Sequence, residues 1–326
     1  MLLTRRNMEP AQAGERTGSR EVVRRPARRK RRPKTRPMDW WAYGFIFVPV
    51  TLIFLLEVVP TLGVVLLSLT DYNPLEAGSW HDFVGLTNYA RFVGDPLAWQ
   101  ALWQTFYFLL LYLPLSVALG LGVALLLNQR IRGRTILRGV YFLPVIASWV
   151  VAATMLLWFM DPQVGAVALI FQKLNLGTAP SLLQNPVTVL PTIAGVAIWK
   201  FVGYNAVLFL AGLQSLDPTL DEAAKVDGAG VWARFRHVTL PGLRPITAVV
   251  VILNLITALR LFDPIKVMTN GGPNFSSSTL VMYFYHVTWD GLQFGYGSVI
   301  TLVLTLLILL GSALQFLYYR YRGGVA

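Results

Sequence analysis

Residues 220–241 read LDEAAKVDGAGVWARFRHVTLP. The stretch is charged and helix-friendly, yet it lies between two long apolar runs, 187–213 and 246–267. Asp217 can cap a helix whose first position is Pro218. Asp221 and Glu222 fall near the positive end of its dipole, and Gly228 is a natural stop. The pattern predicts a short helix over 218–227. Leu220, Ala223, Ala224 and Asp227 share one face of it, small enough for another backbone to approach closely. A second helix is expected over 231–237, bringing Trp232 and Phe235 together, with LPGLRP (240–245) ending it. Linkers between helices are usually short, and longer ordered ones tend to be functional. The block therefore reads as a lever rather than a tether.

The rest of the chain says what the lever is attached to. Of 326 residues, 55% are hydrophobic and 13% charged, with a mean hydropathy of +0.55. Soluble domains carry roughly 25% charged residues. The composition is that of a polytopic membrane protein. About 20 apolar residues cross a bilayer as a helix, and six runs qualify: 41–69, 102–127, 136–160, 187–213, 246–267 and 298–319. Backbone facing lipid must satisfy its own hydrogen bonds, so each is expected to be helical and the fold all-α. Two weaker runs, 164–174 and 280–289, are too short to span and read as interfacial or external helices. The expected organisation is a basic, disordered tail over 1–40 and one membrane domain over 41–326. The block forms its loop 214–245.

The net charge of +12 does not point to nucleic acid, because its placement is uneven. Thirteen of the 28 Lys and Arg precede Asp39, in a Pro-rich tail suited to anionic lipid. This tail is too long and too basic for a cleavable signal peptide, and Met38 is a second possible start. Arg130, Arg132, Arg134 and Arg138 lie between runs two and three; Lys225, Arg234, Arg236 and Arg244 lie between runs four and five. With Arg320 and Arg322 these make 23 on one side, against Arg91, Lys173 and Lys266 on the other. The positive-inside rule then puts both termini and the block in the cytoplasm of a multi-pass plasma-membrane protein.

At this point the block resembles a known family. Glu222-Ala223-Ala224, three residues, Gly228, nine residues, then Val238, Thr239 and Leu240-Pro241 is similar to the EAA loop of ABC-importer permeases, with Val238 for isoleucine the one departure. Further stretches, among them LSLTDYNP (67–74), FVGLTNYARFVGDP (83–96), RGRTILRGVYFLPVIAS (132–148) and FDPIKVMTNGGPNFSSSTLVMYFYHVTW (262–289), resemble the carbohydrate-uptake permeases. The likeness is to the first permease of a heterodimeric pair, of the maltose, oligosaccharide or glycerol-phosphate type. The resemblance implies a six-span type I importer permease of a bacterial or archaeal inner membrane. Implied partners are a second homologous permease, an ATPase dimer and an extracytoplasmic solute-binding protein. It also implies that Glu222, Ala223, Ala224, Asp227, Gly228, Leu240 and Pro241 couple to the ATPase.

No G-x-x-x-x-G-K-[ST] occurs, and no Gly directly precedes a Lys. A phosphate-cradling loop is therefore missing, and ATP and Mg²⁺ are expected on the partner ATPase, with no cofactor in this chain. His81, His237 and His286 have no metal-ligand spacing and no cysteine is present, so neither a metal site nor catalytic residues are expected. Ionisable residues inside spans are functional candidates: Glu57, Lys200, Arg260 and Asp263. Lys200 can instead snorkel to an interface, and Arg260 and Asp263, three apart on one helix, can pair. For a solute path, Trp199, Tyr204, Asn205, Asn254, Thr257 and Phe262 offer hydroxyl-matching groups and flat rings. The same aromatic residues suit an interface belt, and Asn254 suits interhelical glue. Two rival classes remain open here: an ion-driven secondary transporter, with Glu57 and Asp263 as ion sites, and a membrane scaffold that recruits a partner through the block.

Overall fold

The computed structural model describes residues 40–76, 78–79, 82–129 and 132–321. The basic tail before Trp40, with His81, Arg130 and Arg322, lies outside them. Two compact units are defined, Met1–Ile53 and Phe54–Ala326. In the first, the described residues form one helix, α1 (Trp40–Ile53), with Pro49 inside it. The second begins with a π-helical turn, Phe54–Val58, followed by α2 (Val59–Leu67) with Pro60 in its first turn. A proline has no amide to donate, which favours such an irregular turn just before it.

The chain then runs through α3 (Thr87–Gly94), α4 (Pro96–Asn128), α5 (Arg134–Ile146), α6 (Trp149–Phe159), α7 (Ala166–Lys173) and α8 (Val189–Ser215). Next come α9 (Pro218–Val226), α10 (Val231–Arg234), a π turn Phe235–Thr239, α11 (Leu240–Gly242) and α12 (Arg244–Leu259). The last elements are α13 (Asp263–Met268), α14 (Leu280–Tyr285), a π turn His286–Asp290 and α15 (Phe294–Tyr321). Among the described residues the only strand-like feature is an isolated bridge between Thr70 and Phe83. Among the described residues five segments are long and apolar enough to cross a membrane: Tyr43–Leu67, Pro96–Asn128, Val189–Ser215, Arg244–Met268 and Phe294–Tyr321. There are six if α5 and α6 count as one bent span.

Helix α8 is the axis of the second unit: 61% of its apolar window is buried, against 22% for α4 and 11% for α15. At one end Phe108 and Tyr112 of α4 pack on Ile193 and Ala197 of α8, and on Ala258, Ile265 and Met282. At the other end Ala124 of α4 meets Phe209 and Leu213 of α8, with Leu243 and Val250. A third cluster joins Ala98 and Ala101 to Tyr283, Tyr296 and Ile300. Much of the remaining apolar surface, such as Leu110, Leu119, Leu309 and Leu314, is exposed on the chain alone. In a membrane protein that surface faces lipid or partner helices.

Three expectations need correction. The apolar run 136–160 is not one helix: α5 and α6 meet at 99° across Ala147 and Ser148, both extended in ψ. Residues 246–267 also break, at Arg260–Phe262, because Pro264 has no amide for the Arg260 carbonyl. Arg260 and Asp263 therefore do not share a helix, and neither forms an ion pair among the described residues. Lastly, LPGLRP does not end the second helix of the block. Pro241 and Pro245 each occupy a first turn, where a missing amide is tolerated, so the chain stays helical from Val231 nearly to Leu259.

Candidate functional site

The polar block forms where α8 ends and α12 begins. Asp217 caps α9: its Oδ1 accepts from the Thr219 amide at 2.9 Å, and this bond holds the carboxyl below its ordinary pKa. Helix α9 ends in a Schellman turn. The Ala229 amide donates to the Ala224 carbonyl at 2.9 Å and the Gly228 amide to the Lys225 carbonyl at 3.0 Å, with Gly228 at φ +79°. Asp227 is the C-cap. Asp221 ties the two short helices together, 2.6 Å from Lys225 and 3.4 Å from Arg234. The Lys225 hydrogen bond lowers its pKa most, with Arg234 adding to it. The rings of Trp232 and Phe235 lie 5.5 Å apart.

What this scaffold displays is mostly unpaired. Glu222 and Ala223 are exposed, Ala224 is half-buried, and the Glu222 carboxylate has no partner among the described residues. Around them stand Leu220, Val226, Val231 and Trp232, exposed by 58%, 88%, 76% and 69%. Leu240 is exposed and Pro241 half-buried, at the root of the block. A groove of about 670 Å³ runs between the last turn of α4 (Leu125, Gln129) and Asp221, Trp232, Arg234, Phe235 and Thr239. This is an apolar-rimmed knob whose Glu222 and Asp227 carboxylates have no partner among the described residues.

A second site opens at the α12–α13 break. A cavity of about 290 Å³ is lined by Trp149, Ile256, Thr257, Arg260, Leu261, Phe262 and Asp263. A neighbouring cavity of about 430 Å³ shares Arg260 and Phe262 and adds Val281, Phe284, Tyr285, Trp289 and Leu304. Phe262 and Tyr285 pack with centroids 5.1 Å apart, and the Lys266 ammonium sits 4.1 Å from the Tyr285 centroid. The two cavities at the break thus bring together the Thr257 and Tyr285 hydroxyls, two opposite charges and five rings. The break lies about 24 Å from the polar block, at 1.5 Å per residue along α12.

Thr257, Phe262, Arg260 and Asp263 meet in this site; the other path candidates do not. Asn205 and Asn254 are 1% and 3% exposed and hydrogen bonded to each other, so they act as glue between α8 and α12. Trp199 is 40% exposed and Tyr204 half-buried, both outside the walls of these two cavities. Glu57 is exposed in the Phe54–Val58 turn, where its backbone carbonyl accepts from the Thr61 hydroxyl at 2.6 Å. Lys200 does not snorkel: it is 2% exposed and donates to backbone carbonyls of the α5–α6 elbow. Trp149 is among the wall residues the sequence reading missed, with Tyr285 and Trp289. Nothing local marks Trp149, because the elbow that places it is invisible in an apolar run.

At the opposite end from the polar block, Asp95 caps α4 through the Leu97 amide at 2.9 Å. Its Oδ2 accepts from the hydroxyls of Tyr283 and, at 2.5 Å, Tyr296. Burial alone would raise its pKa, but the two tyrosines and the amides of Leu97 and Ala98 together hold it below 3.8. Burial, with Asp95 alongside, pushes the Tyr283 hydroxyl well up. The Arg91 guanidinium stacks 4.2 Å from the Tyr296 ring centroid and donates to Gln293 at 2.8 Å.

A helical membrane unit with an exposed helical knob between two spans defines a class, and comparison with known proteins places the chain in it. Residues 116–321 match the family described as binding-protein-dependent transport system inner membrane component. The chain belongs to this family: it is a multi-pass permease subunit of a binding-protein-dependent ABC importer. The ion-driven transporter and scaffold readings are thereby set aside. It is 35% identical over 238 residues to the sulfoquinovosyl glycerol transport system permease protein SmoG of Agrobacterium fabrum, covering 73% of this chain and 75% of that one. It is 32% identical over 286 residues to the lactose transport system permease protein LacF of Rhizobium radiobacter, covering 86% and 94%. The fold matches a chain in the crystal structure of a bacterial alginate ABC transporter in complex with alginate pentasaccharide-bound periplasmic protein. That match has a TM-score of 0.77 at 20% identity and covers 87% of this chain and 95% of the other.

Proposed function

We propose that this chain is the first permease of a heterodimeric pair that imports a carbohydrate by alternating access. A separate ATPase dimer would bind the ATP and Mg²⁺, and an extracytoplasmic binding protein would deliver the solute. The chain itself would carry no cofactor and no catalytic residue. Both termini and the polar block would face the cytoplasm, with the basic tail against anionic lipid. The permeases named for lactose and sulfoquinovosyl glycerol support a sugar as solute.

One observation carries the coupling role: the unpaired Glu222 on a capped, exposed helix wedged between the ends of α8 and α12. A free carboxylate on an apolar-rimmed knob suits a cleft with a basic group. Ala223, Ala224 and Asp227 would supply the close-packing face, Gly228 the turn, and Leu240 and Pro241 the root that passes motion into α12. The solute would pass the α12–α13 break, where Thr257 and Phe262 provide a hydroxyl and a ring. Arg260, unpaired and shared by both cavities, favours a second reading within the same class: a solute with an acidic group, such as an acidic sugar or glycerol phosphate.

The test is ATP turnover of the co-expressed complex in lipid, with and without loaded binding protein, for wild type and Glu222→Ala. Stimulation in the wild type that disappears in a folded Glu222→Ala variant upholds the reading. A fully coupled variant, or a chain that co-purifies with no ATPase, overturns it.

A further inference from the structure

Lys200 is the one lysine of the long central helix, and its use is unusual. It is 2% exposed, and no carboxylate pairs with it among the described residues. Burying an ammonium is costly unless hydrogen bonds replace its water. Here the replacements are the backbone carbonyls released where α5 stops. Lys200 Nζ donates to the Pro144 carbonyl at 2.8 Å and the Ala147 carbonyl at 2.5 Å, with the Val145 carbonyl at 3.5 Å. These groups have no partner in their own helix, because α5 turns by 99° into α6. They also form the negative end of the α5 dipole, which favours a cation. The contact between the helices is tight: a Cβ on Gly203, one turn along α8, would lie 1.9 Å from the Tyr141 carbonyl.

The elbow leads directly to the cavity at the α12–α13 break. Trp149 is the first residue of α6, its ring centroid is 5.1 Å from Lys200 Nζ, and it packs on Phe201 at 5.7 Å. The same Trp149 lines this cavity together with Thr257 and Phe262. We propose that Lys200 is a positioning residue for transport: it caps the broken span from a neighbouring helix and thereby sets where Trp149 stands in the solute cavity. An apolar side chain, with no donor, would leave the elbow carbonyls unsatisfied, and the elbow would relax toward a straighter or differently turned span. The role of the cavity rests on the proposed function; the anchoring of the elbow does not.

The chain has no cysteine, so a single-cysteine reporter is the only thiol on this polypeptide, which is resolved from its partners after labelling. Ser148→Cys reports on the elbow and Thr257→Cys on the cavity wall. Each is made in the full-length chain, co-expressed with its partner subunits, with Lys200 kept, changed to Met or changed to Arg. The readout is the rate of labelling by N-ethylmaleimide in membranes. Lys200→Met is expected to shift both rates by about tenfold, the factor that one unsatisfied buried carbonyl carries in an equilibrium. Lys200→Arg, which keeps cation and donors, is expected to restore them. Unchanged rates in Lys200→Met overturn the proposal; a change at Ser148→Cys alone overturns its second half, the setting of the cavity wall. If Lys200→Met does not accumulate, Lys200→Leu and Lys200→Ala replace it and are judged by the same criteria, with Lys200→Gln, which keeps amide donors, expected to shift both rates less than either. Should Thr257→Cys be unreactive in every background, the reading of the cavity as an aqueous path fails, while Ser148→Cys still decides the anchor.

Discussion

Asn205 of α8 and Asn254 of α12 exchange amide hydrogen bonds: Asn205 Nδ2 donates to Asn254 Oδ1 at 3.1 Å and Asn254 Nδ2 to Asn205 Oδ1 at 2.9 Å. Ser116 of α4 completes the junction, donating to Asn254 Oδ1 at 3.0 Å and accepting from Asn205 at 2.8 Å. Three spans are thus pinned at one buried point, and two of them flank the polar block. Interhelical side-chain bonds in membranes are worth about 0.6 kcal/mol on average and at most about 1.7. A double-mutant cycle of Asn205→Ala and Asn254→Ala, read by thermal unfolding in detergent, is expected to show coupling in that range. Strictly additive losses would mean the pair is not a junction.

The Gly228 turn is the cleanest test of the knob's shape. At φ +79° a Cβ is strained, although space is open around it. Gly228→Ala is expected to cost about 1 kcal/mol locally and to lower binding-protein-stimulated ATP turnover without lowering the amount of inserted chain. Unaltered stimulation would show that the exit of α9 tolerates either conformation.

Asp221 joins α9 to α10 at the surface, so its ion pairs are weak, within about 1 kcal/mol. Asp221→Asn is expected to leave the spans intact and to weaken ATPase stimulation partly. The wild-type stimulation should also fall as salt rises, since exposed pairs are screened. A salt-independent difference between the two proteins would point away from the ion pairs.

Asp95 makes the opposite end acid-sensitive. Its folded pKa lies below 3.8, so the stability it contributes is present above that value and is lost as pH falls through the lower folded one. Thermal unfolding measured from pH 5 down to pH 2 is therefore expected to fall more steeply for wild type than for Asp95→Asn, which starts less stable at neutral pH. Parallel curves would remove Asp95 from the acid response.

Gly203 tests the contact that Lys200 secures. Gly203→Ala drives a methyl into the Tyr141 carbonyl and is expected to cost about 1–3 kcal/mol, the scale of overpacking. The loss should appear as a lower unfolding temperature of the purified complex. An unchanged temperature would mean that α5 is free to move away from α8.

Much of the polar block was legible because its signals are local. The Asp217 cap, Pro218 at the first turn and the stop at Gly228 are one- to four-residue preferences, and α9 ends at Val226, one residue short of the expected 227. The cavity was legible only in part. Thr257 and Phe262 follow from residue type, but Arg260 and Asp263 read as one helix until the effect of Pro264 on the Arg260 carbonyl is taken into account. Asn205 looked like a solute ligand by type and is glue by position, while for Asn254 the sequence left both readings open and the structure selects glue. Type cannot say whether an amide faces a cavity or another amide 49 residues away.

The sequence by itself determined where apolar runs must become helices, where the charged block interrupts them and how that block caps its own helix. Those outcomes depend on backbone satisfaction in lipid and on neighbours within a few residues. The tertiary structure alone decided that the third run breaks at Ala147 and Ser148, that Trp149 therefore lines the same cavity as Thr257, and that Lys200 is buried rather than snorkelling. A helix in lipid breaks only where something else takes up its freed carbonyls. Here that group is an ammonium 53 residues farther along the chain from Ala147, a partner that no local pattern encodes.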